Sequence, residues 1–136
     1  PMVLMGDFNN TLADGVLNHL LTNTLRFVSA IDRDAYLAKY CLKDAWDLFQ
    51  VAITNEADET SQDIPKTRTP THYFGGGGSV LDYILLSCEF DASYHDSLYQ
   101  TSAYHTYDRH LINPIFERDG ESTDHGIVLV TLTLRS

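Results

Sequence analysis

From Met2 to Asn9 the chain reads Met-Val-Leu-Met-Gly-Asp-Phe-Asn, four apolar residues that run directly into a glycine, an aspartate and an asparagine. That order fits a buried strand whose end turns and presents an acid and an amide to solvent. Strand ends of this kind are where α/β folds place chemistry, because the backbone there is held by the core while the side chains stay reachable. Taken alone, Gly6-Asp7-Phe8-Asn9 is equally a plain turn after a core strand. Two further segments carry the reading beyond that.

The first runs from Gly75 through four glycines and Ser79 into Val80-Leu81-Asp82-Tyr83-Ile84-Leu85-Leu86-Ser87. Side chains alternate along a strand, so Val80, Asp82, Ile84 and Leu86 share one face, and Leu81, Tyr83 and Leu85 share the other. Asp82 therefore sits in an apolar row. A carboxylate there needs a hydrogen-bond donor or a cation, since a lone charge among apolar groups neutralises instead. The second segment is Ser122-Thr123-Asp124-His125-Gly126, which leads into a strand from Ile127 to Leu134 with Val128, Val130, Leu132 and Leu134 on one face. The imidazole of His125, at the mouth of that strand, is the natural partner for Asp82.

In that order and at this spacing, Gly6-Asp7-Phe8-Asn9, Leu81-Asp82-Tyr83-Ile84-Leu85 and Thr123-Asp124-His125 resemble the endonuclease/exonuclease/phosphatase superfamily. Leu42-Lys43-Asp44-Ala45-Trp46 also resembles a helix-to-strand segment common in that family. The resemblance implies a DNase I-like α/β (α+β) fold, a four-layer α/β/β/α sandwich with mostly antiparallel or mixed sheets and helices outside. It covers nearly the whole chain, with one departure. Family members carry an Asn and a principal metal-binding Glu upstream of the first motif, and nothing before Gly6 corresponds to them. Residues 1–136 are therefore expected to be the C-terminal half of such a domain, with the N-terminal half outside this chain. Half of a sandwich leaves one apolar sheet face without a partner.

Composition limits the partners. With 9 Lys and Arg against 19 Asp and Glu, the formal charge is −10, which argues against a large general phosphate-binding surface within these residues. Cys41 and Cys88 lack zinc-type spacing and sit in apolar patterns, so both are expected to be buried thiols. No apolar run reaches transmembrane length; a soluble protein is expected, with the cytoplasm favoured.

Along the chain, Asp14-Gly15 is expected to open a helix marked by Leu17, Leu20, Leu21, Leu25 and Val28, and a second helix is expected over Arg33 to Lys43. Periodicity leaves Ala45 to Ile53 open between strand and helix. Thr54 to Pro70 reads as a solvated acidic loop. His72-Tyr73-Phe74, the glycines and Ser79 onward read as a hairpin with a flexible turn. From Ala92 to Pro114 the many Tyr, His and Asp residues read as a loop anchored by amphipathic aromatics. His105 and His110, five apart, are unsuited to a shared zinc site on one helical face.

By the resemblance, Asp7 positions or deprotonates a water and Asn9 donates its amide to a phosphate oxygen. Asp82 orients His125, which acts as general acid or base or holds the phosphate as an imidazolium. Asp124, with Asp7, supplies oxygen to Mg2+ or Mn2+. Arg109 is a further candidate for contacting phosphate. The expected function is metal-dependent hydrolysis of phosphate esters by a phosphodiesterase, nuclease or phosphatase. The substrate is a nucleic acid, a nucleotide or a small phosphodiester, and a small or single-stranded one is preferred to a duplex. This chain alone, lacking a principal ligand, is expected to be inactive. Two other readings remain open: a non-catalytic binding module of the same fold, and a fragment active only when paired with its N-terminal half.

Overall fold

The structure is a computed structural model that describes residues 1–14, 17, 41–56, 67–114 and 122–136. Most of the two helices expected before Lys43 lies outside the described residues, as does the middle of the acidic loop. Within the described residues the order is β1 (Val3–Asp7), β2 (Lys43–Asp44), α1 (Ala45–Glu56), β3 (His72–Phe74), β4 (Gly77–Ser79) and β5 (Asp82–Leu86). A short 3-10 turn (Cys88–Phe90), β6 (Tyr99–Tyr107), α2 (Arg109–Ile112) and β7 (Ile127–Leu134) follow.

β5 is the centre of a three-stranded antiparallel sheet with β1 on one edge and β2 on the other. A central strand packed on both faces must be apolar throughout, which is why Asp82-Tyr83-Ile84-Leu85-Leu86 is nearly continuous in hydrophobicity. Its alternation splits the core. Tyr83 and Leu85 pack with Leu17, Leu4, Phe8 and Leu42 on one side. On the other, Leu86 and Ile84 meet α1, the 3-10 turn and the β6–β7 pair through Leu48, Phe90, Tyr104, Val128 and Val130. Asp82 belongs to this second row and is only partly exposed.

Residues 45–56 resolve to helix, because Ala45, Leu48 and Ala52 recur at helical spacing and all three are buried. Asp44 caps it: its carboxylate accepts the Trp46 backbone N–H at 3.0 Å. Leu42 to Trp46 thus runs from strand into helix, the reverse of the expected order, and Lys43 belongs to β2 instead of ending a helix. Arg68 returns to the same cap. Its guanidinium pairs with Asp44, donates to the Tyr104 hydroxyl at 2.6 Å and lies over the rings of Tyr83 and Tyr104.

The β3–β4 hairpin turns at Gly75 and Gly76, both at positive φ (60° and 83°), the pair of angles that a two-residue hairpin matched to strand twist demands. The turn is therefore specified, not merely flexible. Gly78 has a separate reason to be glycine, since a Cβ there meets the Pro70 ring at 2.5 and 2.8 Å. Gly78→Ala is expected to destabilise the protein by about 1–3 kcal/mol through overpacking, read as a lower midpoint in urea; an unchanged midpoint excludes that contact.

Residues 99–107 correct the loop expectation: they form the nine-residue strand β6, paired antiparallel with β7 from Tyr99↔Leu134 to Tyr107↔Ile127 with a bulge at Thr101/Ala103. Alternation of Thr101, Ala103 and the flanking aromatics was masked by tyrosines and histidines on both faces. Cys41 and Cys88 are both buried. Val3 and Met5 on β1 and Ile127, Leu129 and Leu134 on β7 are exposed.

Candidate active site

Antiparallel pairing sets Asp7, the last residue of β1, directly opposite Asp82, the first of β5. Two like charges placed across a strand pair repel, so the arrangement calls for a cationic or donating group between them. His125 stands there. Its Nδ1 lies 2.8 Å from Asp82 Oδ2, and its Nε2 lies 3.7 Å from Asp7 Oδ2. The Asp82 hydrogen bond raises the imidazole pKa above its ordinary value against a smaller opposing effect of burial, and the charges of Asp82, Asp7 and Asp124 add to the rise. The structure thus brings three of the sequence-derived residues into one group.

The other candidates are placed differently. Asn9 follows β1 at φ 50°, a left-handed angle that Asn tolerates, and its backbone N–H donates to Asp7 Oδ1 at 2.7 Å. That bond fixes the Asp7 carboxylate, while the Asn9 side chain is exposed. Asp124 is also exposed and offers an oxygen close to His125 and His72. Arg109 opens α2 and is exposed; among the described residues no contact joins it to Asp7, Asp82 or His125.

Three residues to which the sequence reading gave no role at this site adjoin the group, and two of them, Thr71 and His110, bond to the segments that carry it. Thr71 is fully buried; its hydroxyl accepts the backbone N–H groups of Leu81 and Asp82 at 3.0 and 3.2 Å, and its carbonyl accepts the Gly126 N–H at 2.6 Å. One residue therefore ties the start of β5 to the loop that carries His125. His110 donates an Nε2–H to the His125 carbonyl at 2.9 Å. His72 brings its ring centroid to 5.0 Å from that of His125. A threonine before a strand and histidines far apart in sequence carry no local signature of such roles. His105, by contrast, is exposed on β6.

Beside Asp82 a cleft of about 190 Å3 is lined by Met5, Gly6, Ile84, Gly126 and Val128. Its walls are mainly apolar and include Asp82 and Tyr83. Two sets of side chains present ligand atoms within 4.8 Å of one another: Asp7 with Asp82 and His125, and His72 with Asp124 and His125. Exposed carboxylate oxygens on Asp7 and Asp124 suit a hard divalent cation, whereas the Asp82 oxygen is engaged by the imidazole. No helix among the described residues is long and apolar enough to cross a membrane.

The model of the Endonuclease/Exonuclease/phosphatase family matches residues 1–125. No curated protein and no solved structure gives a match.

Proposed function

The chain belongs to the endonuclease/exonuclease/phosphatase family, and on that premise we propose that it carries the proton-handling part of a metal-dependent phosphodiesterase or nuclease site. The observation that supports this most is the position of His125 between two carboxylates on adjacent strands. Hydrolysis of a phosphodiester needs an aligned water, relief of charge on the phosphoryl oxygens and a proton for the leaving oxygen. Asp82 fixes the His125 ring by taking its Nδ1–H and stabilises the protonated form. That leaves the Nε2–H to donate to a phosphoryl or leaving oxygen. Asp7, held by the Asn9 N–H, faces the same space and takes the proton of the attacking water. Asn9 offers its exposed amide to a phosphate oxygen. Asp7 and Asp124 are the residues that would hold Mg2+ or Mn2+. Such an ion supplies electrostatic relief to the phosphoryl group.

The small share of Lys and Arg favours a small or single-stranded phosphodiester over a duplex, because duplex affinity comes mainly from phosphate contacts by basic side chains. We further propose that the complete site draws a carboxylate ligand from residues outside 1–136, which would also cover Val3 and Met5 in a four-layer sandwich. The test uses this chain and any longer polypeptide that contains it, with a chromogenic phosphodiester and a single-stranded oligonucleotide as substrates. Hydrolysis is expected to stop on chelation with EDTA, to return with Mg2+ or Mn2+, and to be lost in Asp7→Ala. Activity that survives EDTA rejects the reading.

The pH profile follows from the pKa direction. An imidazolium donor is active below its pKa, so activity falls as pH rises through the elevated His125 value. Asp82→Asn removes the largest cause of that elevation, and the basic limb is expected to move to lower pH, measured as kcat against pH. A limb that stays in place removes Asp82 from this role.

A further inference from the structure

His72 has no part in the chemistry above, yet its ring stands against His125 and, among the described residues, makes no hydrogen bond. We propose that His72, Asp124 and His125 form a binding site for a borderline divalent cation, Zn2+ foremost, and that its occupancy silences the Asp7, Asp82 and His125 group. One ligand atom from each lies within 4.8 Å of the other two. Small side-chain rotations close that spacing to the roughly 3–4 Å imposed by an ion with ligands at about 2.1 Å. Two imidazoles and one carboxylate make a donor set that suits Zn2+ and not Mg2+, which prefers oxygen throughout. Three protein ligands leave a position open to water.

The backbone is prepared for the site. The Thr71 carbonyl, adjacent to His72, accepts the N–H of Gly126, adjacent to His125, at 2.6 Å. Thr123 Oγ1 accepts the His125 N–H at 3.1 Å and so shapes the turn that presents Asp124. Ligands anchored on one stitched pair of segments lose little freedom on binding. Occupancy conflicts with catalysis because His125 is common to both groups. An ion at Nδ1 displaces Asp82, and an ion at Nε2 takes the nitrogen that faces Asp7. The silencing rests on the role proposed for His125, whereas the binding does not.

The experiment titrates Zn2+ into the chelator-stripped 136-residue chain by calorimetry, with the visible spectrum of the Co2+-substituted chain as a second readout. One ion per chain is expected, with a tetrahedral Co2+ spectrum and little competition from excess Mg2+. His72→Gln, and independently the exposed-site variant Asp124→Asn, should each weaken binding by about tenfold or more, since even outer partners of a metal contribute that much. Asp7→Ala should bind Zn2+ as the parent does. Parent-like affinity in both His72→Gln and Asp124→Asn overturns the site. In a preparation that hydrolyses phosphodiesters with Mg2+, added Zn2+ should inhibit the parent and inhibit His72→Gln only at higher concentration; equal inhibition overturns the silencing. Absence of hydrolysis in every preparation overturns the proposed function and the silencing with it, while the calorimetry still decides the site.

Discussion

His125→Ala is expected to lower kcat for phosphodiester hydrolysis by about 10³-fold, the middle of the range for loss of a positioned proton donor. The expectation rests on the geometry around the ring. Asp82 at 2.8 Å engages Nδ1 and leaves Nε2, which lies 3.7 Å from Asp7 Oδ2. Removing the imidazole deletes the donor, leaves Asp82 without its partner and lets the two opposed carboxylates repel. KM should change less than kcat, because in the proposed role the proton is delivered in the transition state and not in substrate binding. Single-turnover kinetics on variant and parent, in a polypeptide containing this chain that hydrolyses the phosphodiester, check this. An unchanged turnover number removes His125 from the chemistry, and a selective rise in KM reassigns it to binding phosphate.

The largest stability effect is expected at Arg68. Its side chain is 11% exposed and that of Asp44 is fully buried. Arg68→Met leaves the carboxylate buried without its cationic partner and takes the Arg68 donor from the Tyr104 hydroxyl, a loss of about 3–5 kcal/mol for breaking a buried pair from one side. The midpoint of thermal unfolding should fall by roughly 10 °C or more. Asp44→Asn keeps an oxygen to cap α1 but removes the charge. The double variant should therefore lose less than the sum of the two single losses, with a coupling of about 0.5–3 kcal/mol for groups in direct contact. Strict additivity in that cycle shows that the pair contributes nothing as a pair. The consequence extends to the site, since Arg68 also packs over Tyr83, one residue after Asp82. An unfolding midpoint within error of the parent rejects the account.

The elements legible in the sequence are those whose signal is local. The alternation about Asp82 and the final strand after Gly126 follow from side-chain periodicity, and the family follows from three short motifs in order. The apolar run Met2 to Met5 gave the existence of β1 but not its place: expected buried, it is an edge strand on which Val3 and Met5 are exposed. The errors fall where two signals compete. Tyrosines and histidines on both faces hid β6, since a strand half exposed on each side loses its apolar alternation. Lys43 and Asp44 look like a helix end because the polar residues of a two-residue strand do not differ from those of a helix terminus. Arg68, in a polar stretch, gave no sign that its guanidinium would be enclosed by Asp44, Tyr83 and Tyr104.

For the site, residue order along the chain determined which chemical groups stand at strand ends: an acid ending β1 with an amide just beyond it, an acid at the start of β5, and an acid and an imidazole before β7. Only the tertiary structure decided which of them meet. The register of β1 on β5 sets Asp7 opposite Asp82, and Thr71, through hydrogen bonds to Leu81, Asp82 and Gly126, carries His125 between them and His72 beside it. Periodicity acts over a few residues and fixes which way a side chain points. The distance between residues 7, 72, 82 and 125 depends on strand register and a buried threonine's bonding, and neither is written in the neighbourhood of any one of them.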